Sequence, residues 1–187
     1  MVDEKQEELK KFKFLSVVGF FVISIIGTLL HFTFELSQQN LIVATFSAVN
    51  ESVWEHLKIA IMPTFLWTIC ELFILKYRPD NLWTALIIKI TVIMISIVSL
   101  FYLSVLILGT HNTIISVIIF YISVLLGQIV GNYVLNYNKV NNNIEEISKY
   151  LVIILFLLFV IFTFIPPKAD IFKDEATQTY GVFKLEY

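Results

Sequence analysis

The amino-acid sequence predicts an all-α fold, a polytopic membrane bundle of about five transmembrane helices. Of the 187 residues, 58% are hydrophobic and only 15% are charged, and the mean hydropathy is +0.83. A soluble domain usually has about a quarter of its residues charged, so this composition favours lipid as the surrounding solvent. In addition, five segments are each close to the roughly 20 apolar residues that a helix needs to cross a bilayer.

The five predicted spans follow one another along the chain. They cover residues 14–34, 53–75, 82–108, 113–135 and 150–165. The last span is short but uniformly apolar, and Pro166 and Pro167 end it because proline cannot continue a helix. We therefore divide the chain into a polar cytoplasmic N-terminal segment (1–13), a transmembrane helical domain (14–165) and an extracytoplasmic C-terminal tail (166–187).

The connection after the first span, residues 36–52, contains the apolar stretch LIVATFSAV. This stretch is too short to cross the bilayer, so we expect a re-entrant or interfacial helix there. The sequence Asn50-Glu51-Ser52 comes next and is typical of a helix start, with polar side chains that can cap the first turn.

The positions of the basic residues predict how the spans are oriented. Lys and Arg favour the cytoplasmic side of a cell membrane. They occur before span one, between spans two and three, and between spans four and five, at Lys5, Lys10, Lys11, Lys13, Lys76, Arg78, Lys139 and Lys149. The opposite loops, 36–52 and 109–112, have none. We therefore expect a multi-pass protein of the cell membrane with its N-terminus in the cytoplasm and its C-terminus outside.

Charge and cysteine content exclude two classes of function. A net charge of −2 provides no basic stripe, so nucleic acid is not an expected partner, whereas membrane lipid is. The single cysteine, Cys70, excludes a disulfide within the chain and a zinc site built from several thiolates.

A cluster of ionisable residues lies between the first two spans and is the main functional candidate. It comprises His31, Glu35, Glu51, Glu55, His56 and Lys58. Ionisable groups near a bilayer are costly, and they commonly mark functional sites. His31 and Glu35 are four residues apart, as are Glu51 and Glu55, so each pair shares one helix face. The predicted topology adds His111 and Asp174 on the same side of the membrane.

Imidazole nitrogens together with carboxylate oxygens suit a divalent metal such as Zn, Fe or Mn. The first hypothesis is therefore a metal-dependent membrane hydrolase of a lipid-like substrate. Its predicted metal ligands are His31, Glu35, Glu55, His56 and His111. Glu51 or Asp174 is the predicted acid or base, and Lys58 the group that stabilises an anion.

Two other functions fit the same residues. In the first, the protein is a small transporter or a membrane protein that binds a cation or another solute, and the carboxylates bind the cargo. Alternatively it is a non-catalytic membrane subunit whose polar network only fixes helix packing. The sequence does not name a reaction, so whether the protein is an enzyme stays open.

A second polar layer is expected nearer the cytoplasmic side. Glu71 and Lys89 lie at similar depths in spans two and three, which predicts a buried ion pair. Gly127 and Gly131 on span four permit close helix approach, either within the chain or in an oligomer.

The last pattern consists of three sequence segments, HFTFELSQQN, NESVWEHLK and IFKDEATQTYG. In these segments the chain resembles an uncharacterised family of small multi-pass bacterial membrane proteins. The resemblance covers the chain from His31 to Gly181. It implies the helical membrane fold and no activity or substrate. It also implies a candidate site that comprises His31, Glu35, Asn50, Glu51, Trp54, Glu55, His56, Lys58 and Asp174.

Overall fold

The computed structural model describes residues 2–76, 79–110, 112–136, 140–174 and 176–186. Within these ranges the chain forms the six helices α1 (Val2–Leu36), α2 (Leu41–Ala44), α3 (Val53–Ile74), α4 (Leu82–Leu108), α5 (Thr113–Leu135) and α6 (Asn142–Phe164). A short 3-10 helix, Asp170–Phe172, follows in the tail. The described residues contain no β-strand, only isolated bridges in the tail. The predicted all-α fold is confirmed.

Among the helices of the described residues, five are long and apolar enough to cross a membrane, namely Lys10–Leu36 of α1 and the whole of α3, α4, α5 and α6. The chain is therefore a multi-pass membrane protein. The short helix predicted after the first span is present as α2.

Two helices begin earlier than the apolar pattern alone predicts. Helix α1 begins at Val2 and includes the polar N-terminal residues. Helix α6 begins at Asn142, about two turns before the predicted start, because Asn141 caps it by accepting the backbone N–H of Asn143. The polar first turns of both helices extend beyond the apolar stretch, so the hydropathy pattern predicts the spans but not where these two helices begin.

Helix α3 is the most enclosed of the five spans and lies against α1, α4 and α6. We call the end of the bundle with the last turn of α1 and the first turn of α3 the upper end, and the opposite end the lower end. Ser16 of α1 donates to Asn132 of α5 near the lower end, and Thr28 contacts Tyr121 nearer the upper end. These contacts fix α1 and α5 as antiparallel neighbours.

Polar side chains close the lower end. The amide of Asn81 donates to the carbonyl of Val134 at 3.1 Å and accepts the N–H of Val140 at 2.9 Å. The carboxylate of Glu145, on α6, accepts the backbone N–H groups of Trp83 and Thr84 at 2.8 and 3.0 Å. This carboxylate therefore caps the N-terminus of α4, where the helix dipole favours negative charge.

Aromatic packing and the tail close the upper end. Trp54, in the first turn of α3, stacks on Phe159 of α6 with ring centroids 4.4 Å apart, and it contacts Phe172 at 4.8 Å. The N–H of Val182 donates to the carbonyl of Thr163 at 3.0 Å. The tail is thus packed onto the ends of α3 and α6.

Gly127 and Gly131 face α4 within the same chain. A Cβ atom at Gly127 would lie 2.4 Å from Cγ1 of Ile93, and one at Gly131 would lie 2.8 Å from Cε of Lys89. The glycine pair therefore serves an internal packing seam. The oligomer contact that the sequence also allowed stays an untested prediction.

Gly27 permits the closest approach between α1 and α3. Pro63 lacks a backbone N–H, so the carbonyl of Ile59, four residues earlier, receives no hydrogen bond from that position of α3. A Cβ atom at Gly27 would lie 2.6 Å from this carbonyl oxygen and 2.5 Å from Cζ of Phe120. Only glycine fits there, because a backbone oxygen cannot rotate away.

We expect Gly27→Val to destabilise the protein by about 1–3 kcal/mol, since the added methyl groups must displace the α3 backbone. The measurement is the free energy of unfolding by SDS titration in mild detergent. The control is Leu29→Phe, which adds volume at an exposed position two residues away. Equal stability of Gly27→Val and the wild-type protein would contradict the tight α1–α3 contact.

Candidate metal centre

The loop between α1 and α3 is pinned to the last turns of α1. The hydroxyl of Ser47 donates to the carbonyl of Leu30 and accepts the N–H of Phe34 at 3.0 Å. It also accepts the hydroxyl of Thr33 at 2.8 Å. Ser47 is fully buried. One serine therefore holds the loop against the helix that carries His31.

A buried ion pair pins the same loop to α3 and α6. Nζ of Lys58 lies 2.5 Å from Oε2 of Glu55, and the two side chains are 0% and 2% exposed. Lys58 also donates to the carbonyl of Ala44, the last residue of α2, and to the hydroxyl of Thr163, both at 2.8 Å. The N–H of Val49 donates to the Glu55 carboxylate at 3.1 Å. Every charged group of the pair thus has a partner.

These contacts bring His31, Glu51 and His56 together at the upper end. Nε2 of His31 lies 3.8 Å from Oε1 of Glu51, and Nε2 of His56 lies 3.6 Å from Oε2. The two imidazole centroids are 5.3 Å apart. One ligand atom from each residue falls within 4.8 Å of the other two. His31 comes from α1, His56 from α3, and Glu51 from the residue before the α3 N-cap.

The ring of His56 is oriented by the backbone of its own helix. Its Nδ1 lies 2.9 Å from the carbonyl of Ser52, which can only accept a hydrogen bond. Nδ1 therefore holds a proton, and Nε2, which lies 3.6 Å from Oε2 of Glu51, is the ring nitrogen directed at the carboxylate. Histidines that bind a metal are commonly oriented in this way.

The spacing of the three residues fits a metal ion. A tetrahedral zinc ion with bonds of about 2.0–2.1 Å separates its ligand atoms by roughly 3.4 Å. The two histidine–carboxylate distances, each to a different oxygen of Glu51, are slightly longer than this, and one ligand atom from each residue lies within 4.8 Å of the other two. The side chains of His31 and His56 are 26% and 30% exposed, and that of Glu51 is 59% exposed. The site is open enough for an ion to reach it.

Two predicted metal ligands do not belong to this group. Glu35 is exposed, one turn beyond His31. Glu55 is buried against Lys58 instead. His111 lies outside the described residues. Glu51, predicted as an acid or base, is the carboxylate that the structure places between the two imidazoles.

The other predicted site residues hold the framework around the group. Lys58 makes no hydrogen bond or ion pair with the three residues. The carboxylate of Asp174 accepts the N–H of Ala176 and the hydroxyl of Thr177 in its own turn. Asn50 accepts the N–H of Ser52 at 3.0 Å, and its amide reaches the carbonyl of Gly181 at 3.5 Å.

The lower polar layer differs from the predicted ion pair. Glu71 and Lys89 are both buried and line one cavity with room for about one water molecule. However, Oε1 of Glu71 accepts the indole N–H of Trp67 at 2.8 Å, and its Oε2 has no hydrogen-bond partner in the part of the chain that the structure describes. Trp67 lies one turn earlier on the same helix, so its indole N–H is within hydrogen-bond distance of the Glu71 carboxylate.

Sequence reasoning missed several residues that build the site. Ser47 and Thr163 are ordinary hydroxyl residues whose partners lie far away in the sequence, so no local pattern marks them. Ser52, by contrast, belongs to the predicted helix start Asn50-Glu51-Ser52, and it is the N-cap of α3, as the pattern S-x-x-E before an apolar run indicates. Its hydroxyl accepts the N–H of Glu55 at 3.4 Å.

Comparison with known proteins gives a family but no activity. A family model described as "Family of unknown function (DUF6512)" matches residues 1–182. No curated protein and no solved structure matches the chain.

We expect Lys58→Met to destabilise the protein by about 3–5 kcal/mol, because it leaves the Glu55 carboxylate buried without its partner. The double variant Glu55→Leu with Lys58→Met removes both charges and should recover a large part of this loss. SDS titration in mild detergent measures both effects.

Lys149→Met is the matched control for this experiment. Lys149 forms a pair of the same spacing with Glu146, but it is 39% exposed and the distance is 3.7 Å. Exposed pairs contribute about 0–1 kcal/mol. A loss in Lys58→Met no larger than in Lys149→Met would show that the buried pair does not hold the upper end together.

Proposed function

The chain belongs to DUF6512, a family of unknown function, and we propose that it binds one divalent metal ion through His31, Glu51 and His56. The observation that supports this proposal is the convergence of two imidazoles and one carboxylate from two chain segments, the end of α1 and the start of α3. A surface ion pair needs no such convergence. Its Coulomb energy would also be small at these distances and exposures.

We further propose that the metal serves hydrolysis of a lipid-like substrate at the membrane surface. Catalytic zinc sites use three protein ligands and keep one coordination position for water, and one common set of ligands is two histidines and a glutamate. A metal bound in this way provides a hydroxide near neutral pH and polarises a carbonyl or phosphoryl oxygen. Since the group lies at the end of a membrane bundle, its natural substrates are molecules held in the bilayer surface.

A specific observation also favours a second function, metal or cation transport. Transport needs ionisable groups within the membrane as well as at its surface. Glu71 and Lys89 are buried in the lower half of the bundle, and one carboxylate oxygen there has no partner among the described residues. This function shares the metal site and differs in its use of the lower layer.

Metal analysis tests the site itself. We expect the purified full chain, stripped with chelator and reloaded with Zn²⁺, Mn²⁺ or Fe²⁺, to retain about one ion per chain of at least one of these metals. His56→Gln and Glu51→Gln should lose it, because the first removes an imidazole nitrogen and the second replaces an anionic carboxylate with a neutral amide. At a free concentration of 100 times Kd, the metal should stabilise the wild-type protein by about 2.7 kcal/mol.

Glu35→Gln is the matched control, since it removes the same charge as Glu51→Gln from an exposed position one turn beyond His31. It should bind metal as the wild-type protein does. A wild-type protein that retains none of the three metals, and whose melting temperature none of them raises, would overturn the proposed site.

Two assays on the reloaded protein separate hydrolysis from transport. One measures turnover of fluorogenic acyl esters, acyl amides and phosphodiesters in lipid–detergent micelles. The other measures Zn²⁺ entry into liposomes with an internal fluorescent indicator. Hydrolysis predicts turnover that is lost in Glu51→Gln and kept in Glu71→Gln. Flux that Glu71→Gln abolishes, without turnover, would favour transport, and a metal-loaded protein without either activity would contradict both.

A further inference from the structure

A groove of about 300 Å³ runs between α1 and α5 near the lower end, far from the metal group. This volume is at the lower limit of ordinary ligand sites, which span about 300–1,000 Å³. Its walls are apolar, formed mainly by Val17 and Phe20 of α1 and by Leu125 and Ile129 of α5. Three of these four side chains are exposed on the lipid-facing side of the bundle.

The floor of the groove is polar, which distinguishes it from a simple gap filled by lipid tails. The hydroxyl of Ser16 donates a hydrogen bond to Oδ1 of Asn132 at 2.7 Å. Asn132 can therefore offer a ligand the N–H groups of its amide as donors. Gln128 also lines the groove, and neither of its buried amide atoms has a partner among the described residues. Polar groups without partners cost several kcal/mol in hydrocarbon.

Two exposed lysines continue the groove toward the membrane surface. Lys13 lies three residues before Ser16 and seven before Phe20, and Lys10 lies seven before Val17. These spacings place both lysines on the face of α1 that lines the groove. Both side chains are exposed at the start of the membrane-spanning part of α1. Lys10 is about 15 Å along the helix axis from Phe20.

We propose that this groove binds an anionic glycerophospholipid. Its acyl chain lies between the apolar walls, and an ester carbonyl accepts a hydrogen bond from the amide of Asn132. Its phosphate lies between Lys10 and Lys13. The order of groups from the surface inward is therefore two cations, an amide donor and an apolar slot, which matches the order phosphate, ester and chain in such a lipid. Basic pockets between transmembrane helices recognise anionic headgroups in this way.

Native mass spectrometry tests the proposal on the full chain. The protein is extracted from nanodiscs that hold equal amounts of phosphatidylglycerol and phosphatidylcholine with the same acyl chains. We expect the wild-type protein to retain phosphatidylglycerol preferentially. The double variant Lys10→Gln with Lys13→Gln should weaken this retention roughly 30-fold, at about fivefold for each lysine. Asn132→Leu should weaken retention of both lipids.

Lys11→Gln is the matched control, because it removes the same charge from a face of α1 about 100° away from Lys10. It should leave the lipid preference unchanged, and circular dichroism confirms that each variant is folded. Equal retention of the two lipids by the wild-type protein would overturn the proposal. So would a loss in Lys11→Gln as large as in the double variant, or a preference for the zwitterionic lipid.

Discussion

The buried pair of Lys58 and Glu55 is the constraint on which the upper end depends. In a membrane protein a buried charge must be neutralised within the molecule, because no water is present to solvate it. Here the ammonium group has three oxygen partners on α2, α3 and α6, and the carboxylate also accepts a backbone N–H from the loop. The pair therefore fixes the loop that delivers Glu51, and with it the distance between the two imidazoles.

The fold followed from the sequence because a bilayer demands long apolar helices, and little else in the chain competes with that demand. The spans could be placed from composition alone, to within a turn at most ends. The helix start at Asn142 could not, since it depends on a cap and on a solvated first turn. Glu145 illustrates the same limit, because its role is to cap a helix more than 60 residues earlier in the sequence.

The candidate site was predicted by residue type and only partly by role. Helical periodicity groups Glu51 with Glu55, but Glu51 precedes the N-cap of α3 and so does not follow the period of that helix. Glu55 turns inward to Lys58, whereas Glu51 turns toward His31 and His56. Which carboxylate meets the imidazoles was decided by one buried lysine and by the path of a loop, and neither has a local sequence signature.

Helix α1 links the two ends of the molecule as one uninterrupted rod. It has 35 residues without a proline, a length of about 52 Å. Its membrane-spanning part, Lys10–Leu36, carries Lys10, Lys11 and Lys13 in the first turn, and the apolar remainder is close to the roughly 30 Å of bilayer hydrocarbon. Lys10 and His31 lie about 32 Å apart along the helix axis, near opposite ends of the span. One stiff helix thereby holds the metal group and the basic end of the lipid groove at a fixed separation.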